Sequence, residues 1–320
     1  MTPCLAIHGG AGVIPAGSMT DQAAEARHEG LRQALRAGWR LLADGAPALD
    51  AVVAAVAALE DDPLFNAGHG AVFTDTGRLE MDAAVMEGAE RRAGAVAGIC
   101  GPRNPVRAAR AIMETTPHVL MIGTGAEAAA RAAGLRFEPA TYFETPNRRG
   151  ALERELARRI AGLPDDRADD DRHGTVGAVA RDARGHLAAA TSTGGITGKR
   201  SGRVGDTAVI GAGTFAEDAT CAISCTGTGE VFIRFTAAAE IAARIRLGGQ
   251  SLEQAAAAVI AELAPRGGDG GLIAIGPDGG PVFPFNCGGM YRGMVGGDGT
   301  LHTAIHREPF RTEALGLAEA

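Results

Sequence analysis

Three threonines fall where strand ends are expected, and their setting opens a question of chemistry. His173-Gly174-Thr175-Val176-Gly177 closes a charged stretch and begins an apolar one, Thr193 ends the next apolar run, and Thr226 ends a later one. A threonine hydroxyl is a weak nucleophile without an adjacent base, and a lone threonine at a strand start is ordinarily structural. Here both readings stand open, because a charged connector ends at a glycine and the hairpin that follows should bring two hydroxyls together. The turn sequence Asp182-Ala183-Arg184-Gly185 separates apolar runs over 175–180 and 186–193. If Asp182 and His186 flank a three-residue loop, counting back along both arms sets Thr175 opposite Thr193.

Other familiar chemistries lack their residues. No G-x-S-x-G or G-x-C-x-G occurs, so His8-Gly9-Gly10 has no nucleophile elbow to serve, and there is no H-E-x-x-H. Gly194-Gly195-Ile196-Thr197-Gly198-Lys199 resembles a phosphate loop only superficially, since Thr193 stands where the first glycine belongs and Arg200 replaces the required hydroxyl. His302 and His306 are four apart without carboxylate or cysteine company, which favours solvated or core histidines over a zinc site.

The elements that must position the threonines come in blocks. Cys4 to Ile7 reads as a short strand running into a glycine turn over 8–12, followed by a helix from about Asp21 to Ala43 with Leu31, Leu35, Trp39 and Leu42 at three-to-four spacing. A second helix has Pro47 in its first turn and ends at Asp62-Pro63. Short strands are expected over 71–73, 79–86 and 95–99, and helices over 105–113 and 126–133. From about Phe143 to Gly174 Arg and Asp are dense, which predicts a mobile connector. Beyond the hairpin, a strand over 221–226 feeds a helix through Gly227-Thr228-Gly229-Glu230, Ser251 and Gln254 form a capping box, and strands resume over 272–275 and 282–285. Blocks rather than strict alternation favour stacked antiparallel sheets covered by helices, an α+β fold.

The bulk properties narrow the setting. A chain of 320 residues with 46% apolar residues folds around one large core or two smaller ones. Its formal charge of −7 is spread without a basic face, which argues against nucleic acid. The start carries no charged leader followed by an apolar run, and no long apolar stretch suggests a membrane span. Five cysteines at 4, 100, 221, 225 and 287 form no C-x-x-C pair and leave one over in any pairing scheme, so a soluble cytoplasmic protein with buried thiols is expected.

Longer stretches carry a resemblance. Gly174-Thr-Val-Gly-Ala-Val-Ala, Leu187-Ala-Ala-Ala-Thr-Ser-Thr-Gly-Gly, Gly202-Arg-Val-Gly-Asp206 and Ser224-Cys-Thr-Gly-Thr-Gly-Glu-Val-Phe-Ile-Arg234 resemble the plant-type (class 2) L-asparaginase and isoaspartyl peptidase family of N-terminal-nucleophile hydrolases. So do Ile7-His-Gly-Gly-Ala-Gly12, Pro63-Leu-Phe-Asn-Ala-Gly68, Ala95-Val-Ala-Gly98, Phe283-Pro-Phe-Asn286 and Gly289-Met-Tyr-Arg292. The resemblance implies a four-layer αββα sandwich and self-cleavage between Gly174 and Thr175, into an α-part of residues 1–174 and a β-part of residues 175–320 that form one globular domain. The freed α-amine of Thr175, with an ordinary pKa of about 7.7 to 8.0, then serves as base for its own hydroxyl.

On the same resemblance Thr193 bonds the nucleophilic oxygen, Thr226 and the Gly227 N–H form an oxyanion hole, and Asn66 orients the centre. Arg203 takes a substrate α-carboxylate, Asp206 its α-ammonium, and the Gly229 carbonyl assists. No cofactor enters catalysis, but a structural sodium is implied on the backbone carbonyls of Leu59, Glu60, Asp62, Phe65, Ala67 and His69. The implied substrates are L-asparagine and β-aspartyl dipeptides, and the implied assembly is a homodimer of α/β pairs. Two other functions remain to be separated: glycosylasparaginase activity on sugar-linked asparagine, and a non-catalytic amino-acid-binding relative. The segment Cys225 to Glu230 leans away from the first, and retention of all three threonines argues against the second.

Overall fold

The computed structural model describes residues 1–12, 19–163 and 174–315. Its first strand, β1 (Cys4–Gly12), does not stop at Ile7; it continues through the glycines, with a bulge between His8 and Gly10 that takes the place of the expected turn. Helix α1 (Asp21–Ala43) begins where the Thr20 side chain accepts from the Ala23 N–H, and it buries Leu31, Leu35, Trp39 and Leu42 along one face. Helix α2 (Ala48–Asp61) follows Pro47 and is buried around most of its circumference, because α1 covers one side and the sheet the other. Strands β2 (Met81–Glu87) and β3 (Ala93–Ile99), helix α3 (Pro105–Thr115), strand β4 (Leu120–Ile122) and helix α4 (Gly123–Ala132) come next. Residues 71–73, expected as a strand, form no ladder; only the adjoining Thr74 bridges to Lys199.

The stretch expected as a connector from about 143 is largely helical. After the short α5 (Ala140–Phe143), helix α6 (Pro146–Ile160) is capped by the Thr145 side chain and buries Arg148, Ala151, Leu152 and Glu155. Two of its charges, Arg148 and Glu155, are buried rather than solvated. Fully buried Glu155 pairs with Arg158 at 2.8 Å and Arg159 at 2.5 Å, and Arg148 Nε donates to the Gly70 carbonyl at 2.8 Å. Dense charge therefore does not mark a connector here; residues 164–173 of that stretch lie outside the described residues.

The second half holds β5 (Val176–Arg181), β6 (Leu187–Thr193), β7 (Thr214–Glu217), β8 (Cys221–Gly227), α7 (Gly229–Phe235), α8 (Ala237–Gly248), α9 (Leu252–Leu263), β9 (Gly270–Ile275), β10 (Gly289–Val295), β11 (Thr300–Ala304) and β12 (Arg311–Ala314). Thr236 in a left-handed conformation breaks α7 from α8, and the Ser251/Gln254 capping box opens α9. Residues 282–285 contribute isolated bridges to β9 rather than a strand. In the hairpin Val176 pairs with Ser192 and Arg181 with Leu187, the register that a loop over 183–185 demands.

Nine strands form one sheet in the order β12-β11-β10-β1-β5-β6-β2-β3-β4, antiparallel except for β3 with β4, and β7-β8-β9 form a second. Alternation along the strands makes two cores. Leu5, Ile7, Ala178, Ala180, Ala188 and Ala190 face α1, α2 and α3, whereas Cys4, Ala6, Val179, Leu187 and Ala189 face the small sheet, which α8 and α9 cover from outside. The result is helices, sheet, sheet, helices: the αββα arrangement.

Candidate active site

The faces that the two sheets turn toward each other change character along their length. At one end they are apolar, with Ala6, Val179, Ala189 and Ala222 in contact. Two residues further along each strand, at the same period of two, stand His8, Thr191 and Ser224, and beyond them Thr193 and Thr226. The hydroxyls thus gather at one end of the sandwich by strand periodicity alone.

Thr175 lies there, buried, immediately before β5. Its Oγ1 donates to Thr193 Oγ1 at 3.2 Å, and Thr193 Oγ1 donates in turn to the Gly174 carbonyl at 2.9 Å while accepting from the Gly195 N–H at 2.9 Å. Asn66 Nδ2 reaches the same Gly174 oxygen at 2.9 Å and the Gly195 carbonyl at 2.7 Å, and its Oδ1 is fixed by the Val72 N–H at 3.0 Å. One carbonyl, next to a hydroxyl, is therefore polarised by two preorganised donors. Gly10 makes this approach possible: its φ is +116°, and a Cβ there would stand 3.2 Å from the Gly174 Cα.

Arg203, Asp206 and Gly227 line the same small cavity as Thr175 and Thr193, about 10 Å³ in volume, room for roughly one water. Gly229 opens α7 beside them, a Cβ on it falling 2.8 Å from Asp206 Oδ1. Asp206 is buried, its Oδ2 has no partner among the described residues, and burial pushes its carboxyl up to about 7 against the pull of Arg203. Glu230, on the first turn of α7, holds the Arg203 guanidinium through Nε and Nη2, both at 2.9 Å. This arrangement sets a hydroxyl, a carbonyl gripped by two donors, a guanidinium and a carboxyl beside one cavity.

The asparaginase family profile matches residues 1–305. The chain belongs to the asparaginase family. Curated relatives span nearly all of it: the isoaspartyl peptidase of Salmonella typhimurium is 49% identical over 95% of this chain and 98% of its own. That of Escherichia coli is 49% identical over 97% and 98%, and the isoaspartyl peptidase/L-asparaginase of Homo sapiens is 38% identical over 95% and 96%.

Of the residues singled out by sequence in this asparaginase-family chain, Asn66, Gly174, Thr175, Thr193, Arg203, Asp206, Gly227 and Gly229 come together around one cavity. Thr226 is adjacent but differently engaged, its Oγ1 accepting from the Ala11 N–H at 3.2 Å. Lys199 of the glycine-rich stretch is buried and donates to the Glu80 carbonyl at 2.7 Å, so that stretch walls the site. His302 Nδ1 meets Thr312 Oγ1 at 3.2 Å on the far edge of the sheet. Sequence reasoning did not single out His8, Ser224 or Glu230. The signal for His8 was present in a polar residue placed mid-strand between Ile7 and Gly9, where burial demands partners.

The turn after α2 is shaped by glycines. A Cβ on Gly68 would sit 2.4 Å from the Glu60 carbonyl oxygen and one on Gly70 would sit 2.0 Å from that of Phe65, so their absence lets main-chain oxygens crowd inward. The Phe65 carbonyl, which accepts from the Ala67 N–H, keeps a second lone pair, and neutral main-chain oxygens of this kind suit a hard cation. Burial raises the Glu60 carboxyl to about 8, keeping it neutral at this turn.

Proposed function

We propose that this chain cuts itself between Gly174 and Thr175, and that the freed Thr175 hydrolyses L-asparagine and β-aspartyl dipeptides through an acyl-enzyme. The observation that carries the reading is the Gly174 carbonyl, gripped by Asn66 and Thr193 beside the Thr175 hydroxyl. Attack by Thr175 Oγ1 on that carbonyl breaks the C–N bond, transfers the Gly174 acyl group to oxygen and releases the α-amine; water then hydrolyses the ester. Departure of Gly174 enlarges the small cavity that it lines in the uncut chain. The same Oγ1, its proton taken by the new α-amine, attacks the substrate side-chain amide. Ammonia or an amino acid leaves, and water releases aspartate. In this second reaction Thr193 steadies the nucleophile, Thr226 and Gly227 stabilise the oxyanion, and Asn66 orients the centre.

Arg203 and Asp206, with the Gly229 carbonyl, read the substrate's α-carboxylate and α-ammonium. The names of the relatives, isoaspartyl peptidase and isoaspartyl peptidase/L-asparaginase, support this substrate class. The carbonyls of Leu59, Glu60, Asp62, Phe65, Ala67 and His69 fit a sodium ion, which when bound supplies a structural tie behind Asn66. Pairing of two α/β units and a cytoplasmic location complete the reading. Five cysteines held as thiols support that location, and no helix among the described residues is long and apolar enough to cross a membrane.

The decisive experiment is N-terminal sequencing of the smaller fragment of active enzyme, which should begin Thr-Val-Gly-Ala; active material that persists as a single unbroken chain overturns the reading. Asp206 gives a second expectation. A carboxyl that burial holds at about 7 is protonated below that pH and accepts no ammonium hydrogen bond there as a charged partner. Affinity of the processed enzyme for L-aspartate, followed by calorimetry, should rise as pH increases through about 7 and then level off. Asp206→Asn should bind weakly with no such rise.

A further inference from the structure

We propose that His8 is the positioning residue that keeps Thr175 aligned after the chain before it is cut; the inference rests on Thr175 being the nucleophile. Thr175 lies beyond the ladders that hold its own strand: β5 pairs with β6 only from Val176, and with β1 only from Gly177 opposite His8. In the uncut chain Thr175 is also held from behind, through the Gly174 carbonyl in its two-donor grip. Scission removes that hold. Two side-chain tethers then remain among the described residues, the Oγ1 contact with Thr193 and the bond from His8 Nδ1 to the Thr175 carbonyl at 2.9 Å. The first changes each time Oγ1 loses its proton and attacks a substrate, so the carbonyl tether is the one that chemistry leaves unaltered.

The surroundings fix which ring nitrogen carries the proton. A carbonyl only accepts, so Nδ1 must be the N–H. Nε2 is then the bare acceptor, and Ser224 Oγ at 2.9 Å must donate to it. Having spent its proton, Ser224 accepts from Thr191 Oγ1 at 2.7 Å, and Thr191 in turn accepts from Thr214 Oγ1 at 2.7 Å. Any other arrangement leaves two oxygens 2.7 Å apart with no proton between them. Every bond of the series points the same way and ends on Thr175. All four side chains are buried, and burial holds His8 neutral, its pKa brought down to about 3, so the series persists across the working pH range. Gly177 leaves the space for it, because a Cβ there would stand 1.9 Å from Ser224 Oγ and 2.4 Å from His8 Nε2. None of these residues reaches the cavity; their effect passes through the main chain of Thr175.

Processing and turnover should therefore separate in His8 variants. His8→Asn keeps an amide N–H where Nδ1 stands, whereas His8→Gln carries its amide toward Nε2 and abandons the carbonyl. After full processing, kcat on a β-aspartyl dipeptide should fall by about 10- to 100-fold in His8→Gln, the cost of an ångström-scale misplacement. It should recover most of that loss in His8→Asn, with KM little changed in both. Wild-type kcat in both processed variants overturns the proposal. A second measurement reads the tautomer directly: in enzyme labelled with ¹⁵N-histidine, the His8 ring, assigned by the loss of its signal in His8→Asn, should show a protonated Nδ1 and a bare Nε2. The opposite tautomer also overturns it. Should Thr175→Ala prove active, the functional reading itself fails; should Thr175→Ala be dead while the His8 variants are unimpaired, only the tether is wrong.

Discussion

Thr175→Ala should remain one unbroken chain through prolonged incubation, with turnover of β-aspartyl dipeptides down by about 10⁴- to 10⁶-fold. The substitution removes a single oxygen that serves twice, first on the Gly174 carbonyl and then on the substrate. It leaves the grip on that carbonyl in place, since Asn66 and Thr193 bond the Gly174 oxygen independently of the Thr175 side chain. Folding should therefore be preserved: the lost hydroxyl bond to Thr193 is worth about 0.5 to 1.5 kcal/mol net. Electrophoresis over days, intact mass and a melting curve check the three parts together. Thr175→Ser, which restores the oxygen, should restore the cut. A Thr175→Ala enzyme that still splits, or that still turns over, would remove the basis for the function proposed.

Asn66→Ala should slow self-cleavage by about 10²- to 10³-fold, the range found when one preorganised donor to a developing oxyanion is removed. As the Gly174 carbonyl carbon becomes tetrahedral its oxygen gathers charge, and the Asn66 Nδ2 and Thr193 Oγ1, both at 2.9 Å, are already aimed at it. Alanine also orphans the Val72 N–H and the Gly195 carbonyl, so a stability loss of about 1–3 kcal/mol per buried group should accompany the slower cut. Asn66→Asp discriminates between the two effects: it keeps an acceptor for Val72 but turns a carboxylate oxygen toward the Gly174 oxygen, so cleavage should be slower still. Precursor decay followed on gels at matched temperature below both melting points checks this, and decay at the wild-type rate in Asn66→Ala would show that Thr193 suffices alone.

Local patterns in the chain told much of this. The spacing of Leu31, Leu35, Trp39 and Leu42 placed α1 within its observed limits, and the loop over 183–185 set the hairpin register that faces Thr175 with Thr193. Charge density misled over 143–160, because an ion pair on buried Glu155 looks in sequence like a solvated tract. The glycines after His8 read as a turn, yet they extend β1, since a bulge absorbs the irregularity without reversing the chain. Short edge strands such as β4 and β12 carried too few residues for any periodicity to register.

By itself the sequence determined that a threonine stands just before β5, that a second faces it across a tight hairpin, and that the resemblance covers the residues around both. Only the tertiary structure decided that Asn66, 108 positions earlier, reaches the Gly174 carbonyl, and that His8, 167 positions before Thr175, holds the carbonyl of Thr175 itself. The reason is geometric. A hairpin closes over three residues, so its register is written in the local spacing. The stacking of one sheet on another is a matter of which faces meet, and a strand's alternation states that a face exists without naming its partner.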